Sequence, residues 1–391
     1  MPVEVVIAAA ARTPIGSFQG ALAPLSATVL GAAAIRAALD RAGVLGETVD
    51  EVLMGCVLSA AMGQAPARQA SKAAGIPDIV GCTTVNKVCG SGLKTVMLAA
   101  QSIRAGDANT VVAGGMESMS NVPYLLPKAR SGYRLGHAEL VDGLVFDGLW
   151  DPYGNAHMGT FGDSCARDSG LSREQQDACA KLSYERARRA VEQGLFQAEI
   201  VAVEVSSRKK TVLVARDEEP FLGDPDKLAG LRPAFEKNGT VTAGNASALN
   251  DGASALVVMS AEEARRRGTV PMARITGYAS HAQAPALFTT APAGAIRRLL
   301  ARAGLAVKDI DLWEINEAFA VVSLVNQAEL AIPEDRLNVR GGAVALGHPI
   351  GCSGARILTT LVHALQQTDK RRGIASLCIG GGEAVAVMVE R

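Results

Sequence analysis

The chain has 391 residues, of which 48% are hydrophobic and 20% charged, an ordinary globular composition that excludes a disordered or fibrous protein. Its 39 basic side chains balance 39 acidic ones, so no charge excess points to nucleic acid or to an anionic membrane. The length predicts two or three domains, or one large fold with an insertion.

In chain order, Val3 to Ala10 is a short apolar run with one acidic residue, Glu4, near its start. It reads as a strand, not as a signal peptide or presequence. Ser26 is an N-cap for an Ala-rich helix that ends at Gly43. Glu51 to Leu58 is apolar again, Gly92 to Ala105 is helical with Gly106 as its stop, and Thr110 to Gly115 is a buried strand entering a glycine turn. This alternation predicts an α/β fold with a covered sheet. Residues 120–249 are less regular and richer in Pro, Gly, Asp and Tyr. One helix is expected there, from the capping box at Ser172 and Gln175 to Gly194. Alternation returns with strands at Ala255–Ser260 and Met272–Ala279, a helix at Pro292–Ala303, a short apolar run at Leu312–Asn316, a helix at Ser353–Leu365 and a strand at Ile374–Ile379.

The run C-G-S-G-L-K-T-V-M-L-A-A from Cys89 resembles G-C-S-G-A-R-I-L-T-T-L-V from Gly351, and each is followed by a strand, a glycine turn and a glutamate. A duplicated α/β unit is the simplest account. The expected organisation is one half at 1–119 and 250–270, an inserted loop region at 120–249, and a second half at 271–391.

Seven cysteines, Cys56, Cys82, Cys89, Cys165, Cys179, Cys352 and Cys378, are odd in number and contain no C-x-x-C pair. That argues against a disulfide framework or zinc site and for a reducing compartment. Four clusters carry candidate chemistry. In N-K-V-C-G-S-G at 86–92, a thiol at a helix N-terminus feels the positive end of the helix dipole. A small buried cysteine beside a tight turn explains Cys89 equally well at this stage. In G-G-A-V-A-L-G-H-P-I-G at 341–351, His348 stands between glycine and proline, where its imidazole could take a proton from a thiol. In C-I-G-G-G at 378–382, Cys378 ends a strand before a turn whose N–H groups could meet an oxyanion. In W-E-I-N-E-A-F at 313–319, Asn316 is either an N-cap or a group that orients a water or carbonyl.

With these clusters the chain resembles the thiolases over essentially its whole length. The further motifs are A-R-T-P-I-G-S-F at 11–18, P-A-R-Q-A at 66–70, G-G-M-E-S-M-S at 114–120, H-M-G at 157–159, L-R-P-A-F at 231–235, T-V-T-A-G-N-A-S at 240–247, L-N-D-G-A at 249–253 and N-E-A-F-A at 316–320. The resemblance implies a thiolase fold: duplicated α/β halves forming a five-layer αβαβα core, with a loop domain covering coenzyme A. It implies reversible, CoA-dependent thiolysis of 3-ketoacyl-CoA, or Claisen condensation of acetyl-CoA, by a ping-pong route. Cys89 would carry the acyl group, His348 would deprotonate it, and Cys378 would be the second acid/base. Asn316 would hold a water beside His348, and the N–H groups of Cys89 and Gly380 would form a second oxyanion hole. His157, Met158, Phe235, Ala243, Ser247, Phe288, Ala318 and Phe319 would line the pantetheine and acyl path. No permanently bound cofactor or metal is implied; CoA is substrate and product.

Two departures stand out. D-E-E-P-F-L-G at 217–223 lacks the arginine that relatives often place there for the CoA nucleotide, leaving Arg208, Lys209 and Lys210 as candidates on what reads as an exposed hairpin. Phe288 falls where many acetoacetyl-CoA thiolases have methionine. The loop at 125–134 has the length seen in tetrameric members, so a homotetramer is expected, in the cytoplasm, without nucleic-acid or membrane partners. Asn316 argues against a carrier-dependent ketoacyl synthase, which usually has histidine there. Intact Cys89, His348 and Cys378 argue against a non-catalytic acyl-CoA carrier. A nucleotide-dependent oxidoreductase lacks its G-x-G-x-x-G signature.

Overall fold

The computed structural model describes residues 3–206 and 210–391. The first half supplies strands β1 (Val5–Arg12), β2 (Glu51–Gly55), β3 (Gly81–Val85), β4 (Thr110–Ser118) and β5 (Asn250–Ser260). The second supplies β6 (Ala273–Ala282), β7 (Leu312–Ile315), β8 (Arg372–Ile379) and β9 (Glu383–Glu390). They run in the order β7-β8-β9-β6-β1-β5-β4-β2-β3, with the two-residue strand Gly16–Ser17 paired to the start of β5.

The pairing pattern repeats. In the first half β2 is parallel to β4, β4 antiparallel to β5, and β5 antiparallel to β1. In the second, β7 is parallel to β8, β8 antiparallel to β9, and β9 antiparallel to β6. Among the described residues, the strands of the two halves pair where Val6 and Ile7 of β1 meet Arg274 and Ala273 of β6. The duplication suspected from the glycine-rich repeats is thus present in the strand order.

Five layers follow from the faces these strands bury. Outside the first sheet lie helices α1 (Ala27–Ala42) and α2 (Pro66–Ala73), whose Leu30, Ile35 and Ala70 pack on Val52, Val112 and Val257. Between the sheets run α3 (Ser91–Ala105) and α10 (Ile350–Gln367), burying Leu93, Val96, Ile357 and Leu361 against residues of both halves. Beyond the second sheet, α7 (Ala291–Ala303) seals Trp313, Ile374 and Met388. Where α3 and α10 cross, side chains would not fit. A Cβ on Gly92 would lie 2.8 Å from the Ala355 nitrogen, and one on Gly354 would lie 2.4 Å from that of Leu93.

Local signals explain the helix ends. Ser26 caps α1 by accepting from the Val29 N–H, and Gly43 closes it at φ 62°. Ser172 and Gln175 complete a capping box on α5 (Arg173–Glu192). Residues 120–249 hold one helix more than the sequence suggested, α4 (Met158–Asp168), capped by His157. Its interior Gly, Thr, Ser and Asp give it little helical periodicity, and packing overrides that weak local preference.

A buried polar seam ties the insertion to the core. Arg12, with no exposure, donates to Glu199 and to both carboxylate oxygens of Asp217, at 2.6–2.9 Å. Glu218 accepts from the Ser17 and Ala21 N–H groups, and Glu219 from the Asn250 amide. The acidic run at 217–219 is therefore turned inward as structure. Arg216 stacks on Phe221, its guanidinium carbon 3.4 Å from the ring centroid.

Nearby, Glu314 and Arg356 face each other at 3.5 Å, each side chain 2% exposed. Burial pushes the Glu314 carboxyl up to about 8, and the Arg356 charge only partly opposes this. An unfolded chain releases that proton near the ordinary value of 4.5. The raised value stabilises the fold at low pH, and that contribution is lost as pH rises through the folded value. Glu314→Gln keeps the shape without the titration. The variant should gain stability relative to the wild type by an amount of order 3 kcal/mol between about pH 5.5 and 8.5. Denaturant titrations at both pH values measure this, and a pH-independent difference would show that Glu314 ionises normally.

Candidate active site

Cys89 sits in the turn that opens α3. Val88 before it has φ 46°, a conformation a β-branched residue rarely adopts. Hydrogen bonds hold the turn: the Lys87 N–H donates to Ser91 Oγ at 2.8 Å, and that hydroxyl donates to the Val88 carbonyl at 2.7 Å. Cys89 is half-buried against Val57, Leu58, Met119, Leu144 and Ile350. Burial pushes its thiol up to about 11, opposed by the N–H groups of Gly380 and of Cys89 itself, while the Glu117 charge adds to the rise.

His348 precedes α10, in the turn that matches the one bearing Cys89. Its N–H donates to Asn250 Oδ1 at 2.8 Å. Gly347 has φ 97°, and a Cβ there would lie 2.4 Å from the Asn250 amide carbon, so only glycine lets that amide approach. His348 Nδ1 lies 2.6 Å from Ser353 Oγ and 3.4 Å from Asn316 Nδ2. Nε2 is buried with no partner among the described residues, as is Asn316 Oδ1. Burial, helped by the Arg356 charge, lowers the imidazole to about 3, so the ring is neutral at physiological pH.

Cys378 ends β8 and is 1% exposed. Burial, then the proximity of Cys89, raises its thiol well above the ordinary value. The chain continues through Gly380 to Gly381 and Gly382, at φ 89° and 85°. A Cβ on Gly380 would stand 3.6 Å from Val88 and 3.7 Å from Met158, so this glycine lies between the Cys89 turn and α4. Asn316, 1% exposed, is fixed by its N–H donating to the Ser376 carbonyl at 3.0 Å.

An apolar cluster surrounds Cys378. Phe288, Ala318, Phe319 and Val321 are buried with it, and Met158 and Phe235 pack against them. His157 stacks on Phe235 with centroids 4.7 Å apart, and Phe235 meets Phe319 edge-on at 6.1 Å. Burial lowers the His157 imidazole below its ordinary value, and its Nδ1 accepts the Gly159 N–H at 3.1 Å. Ser247 donates to the Ala318 carbonyl through both its N–H, at 3.0 Å, and its hydroxyl, at 2.9 Å. Ala243 is exposed on the adjoining turn, outside this cluster. Arg208 and Lys209 lie outside the described residues, between the paired strands Val203–Ser206 and Thr211–Val214.

Three supporting groups were not picked out in the sequence. Glu117, fully buried, accepts from the N–H groups of Val57, Leu58 and Gly351, which ties the first half to the start of α10. Asn250 anchors His348, and Ser353 contacts its ring. The signals were present in G-G-M-E, L-N-D-G-A and the repeated G-C-S-G, but spacing does not say which side chain a buried amide or hydroxyl meets.

The arrangement combines a half-buried thiol ringed by N–H donors, a neutral imidazole with a free nitrogen, and a second thiol in an apolar pocket. Such a site fits covalent acyl transfer. Residues 5–262 match the thiolase N-terminal domain and residues 269–391 the thiolase C-terminal domain. Over 392 residues the chain is 54% identical to acetyl-CoA acetyltransferase 1 of Arabidopsis thaliana, covering all of this chain (100%) and 94% of that protein. It is 53% identical to the acetyl-CoA acetyltransferase of Escherichia coli strain K12, covering 99% and 98% of the two chains. The crystal structure of the Bacillus anthracis acetyl-CoA acetyltransferase superposes with a TM-score of 0.97 at 43% identity, covering 100% and 99%. The chain belongs to the thiolase family. It is an acyltransferase with thiolase activity.

Proposed function

We propose that this thiolase acts on short 3-ketoacyl-CoA substrates, with acetoacetyl-CoA and acetyl-CoA as its main partners, through an acyl group carried on Cys89. One observation carries the reading: Gly380 lies against the Cys89 turn, where a Cβ on it would stand 3.6 Å from Val88, so the N–H groups of Cys89 and Gly380 come together where an oxyanion beside the sulfur would be met.

In thiolysis His348 Nε2 takes the Cys89 proton as sulfur attacks the 3-keto carbon. The bond between C2 and C3 breaks, and Cys378 protonates the acetyl-CoA enolate. CoA then loses its thiol proton to Cys378, and its sulfur displaces the acyl group from Cys89. Reversal condenses two acetyl-CoA. The second oxyanion position is formed by His348 together with a water that Asn316 holds.

His157, Met158, Phe235, Ser247, Ala318 and Phe319 line the acyl and pantetheine path, with Ala243 at its rim. The inserted region 120–249 covers CoA between halves 1–119 with 250–270 and 271–391. The inward turn of residues 217–219 leaves the nucleotide to other cations, Lys210 among the candidates. The paired strands Tyr124–Leu125 and Val141–Asp142 carry an arm exposing Leu126, Leu135 and Leu140, which supports a homotetramer. No helix among the described residues is long and apolar enough to cross a membrane, and a cytoplasmic location fits that.

Phe288, 2% exposed beside Cys378, is the feature that favours short chains. Thiolysis of acetoacetyl-CoA is expected to exceed that of an eight-carbon 3-ketoacyl-CoA by at least about tenfold in kcat/KM. Equal values along a series of chain lengths would overturn the short-chain assignment.

A further inference from the structure

The repeated turns before α3 and α10 can be compared atom by atom. Ser91 and Ser353 occupy matching places in C-G-S-G and G-C-S-G. Ser91 accepts from the Lys87 N–H and donates to the Val88 carbonyl. Its single hydrogen has no other choice, because an amide N–H cannot accept. Ser353 makes the corresponding pair of contacts, 2.9 Å to the Pro349 carbonyl and 2.6 Å to His348 Nδ1. In the second turn the partner is a ring nitrogen, whose protonation the backbone does not dictate.

We infer that Ser353 is the positioning residue of His348: its hydroxyl donates to the Pro349 carbonyl and accepts from Nδ1–H, which leaves Nε2 as the bare, basic nitrogen facing the site. The inference rests on the reading of His348 as the base for Cys89. Three observations support the direction of these bonds. Both contacts are fully buried, so no solvent competes for them. Nε2 is buried with no partner among the described residues, so no protein acceptor there calls for the proton on Nε2, whereas Ser353 offers one at Nδ1. The charged imidazolium formed during acylation must also donate from Nδ1, and Ser353 lies close enough to accept there.

The same assignment orients Asn316. With Nδ1 protonated, the amide NH2 drawn 3.4 Å away would set donor against donor. Exchanging the amide oxygen and nitrogen moves no heavy atom. It turns the carbonyl toward Nδ1–H and presents the NH2 to the substrate side, as an oxyanion site needs. Position and protonation are separately controlled. Asn250 holds the His348 backbone, with its own amide fixed by Gly16 and Glu219, so loss of Ser353 leaves the ring in place and frees its proton.

Nitrogen NMR on histidine-labelled enzyme reads the tautomer directly. The chain has only five histidines, and the signal lost in His348→Asn identifies the one of interest. The wild type at neutral pH is expected to carry its proton on Nδ1. Ser353→Ala is expected to shift the proton wholly or partly to Nε2 and to lower kcat by about 10²-fold with KM for acetyl-CoA little changed, near the lower end of what a general base contributes. A wild-type ring protonated on Nε2 overturns the inference without any variant, so a poorly folding Ser353→Ala leaves the test intact. A variant that keeps both the Nδ1 proton and kcat within twofold overturns it too. Retained thiolysis in Cys89→Ala would instead remove the nucleophile assignment and leave the tautomer result standing.

Discussion

Cys89→Ala is expected to lose thiolysis and condensation by at least about 10⁴-fold while keeping the fold, because removing a nucleophile removes the covalent route itself. The reason lies in the resting state. Burial holds the thiol near 11 and the imidazole near 3, so the free enzyme keeps a neutral pair at physiological pH. The proton moves as a thioester arrives and the N–H groups of Cys89 and Gly380 take up developing charge. Two other buried thiols are poorly suited to substitute. Cys352 lies fully buried inside α10, and Cys56 is buried with Glu117, whose charge and burial raise its thiol far above the ordinary value. Labelled acetyl-CoA followed by acid quench provides the measurement. Label should stay on the wild type and be absent from the variant. A variant keeping more than about a hundredth of the wild-type rate would put the acyl group elsewhere.

Much of this arrangement was legible before any coordinates. Element alternation and the two glycine-rich repeats pointed to a duplicated α/β fold, because capping residues and glycine stops act locally and leave their mark in the chain. The Cys89 and His348 turns were visible for the same reason. Helix α4 was not, since its polar interior and two glycines hide its period until Phe235 and Val241 pack on it. Nor was the use of Asp217, Glu218 and Glu219. Their spacing names no partner, and only the fold brings Arg12, two N–H groups and Asn250 to meet them. The contact of Ser353 with the His348 ring was hidden similarly. A serine five residues into a glycine-rich stretch reads as a helix-start residue, and which donor it meets depends on the turn geometry.

Cys378→Ala is expected to divide the reaction. The variant should still take label from acetyl-CoA onto Cys89, because on the proposed route acylation uses His348 and the two N–H groups. Condensation and thiolysis should fall by about 10³-fold, within the range that one positioned acid/base supplies. Burial explains why Cys378 can serve in both directions. It raises the thiol well above its ordinary value, and any negative charge on Cys89 would add to that. Cys378 therefore meets the enolate as a protonated thiol while Cys89 carries the acyl group. The thiolate left after that transfer is a strong base, able to take the proton of CoA or, in the reverse direction, of acetyl-CoA. The apolar wall of Phe288 and Phe319 keeps water from quenching the enolate. Quench-labelling beside steady-state condensation measures both halves on one preparation. A variant that condenses within tenfold of the wild type would assign the second proton to another group. A variant that fails to acylate would mean that Cys378 acts in the first step as well.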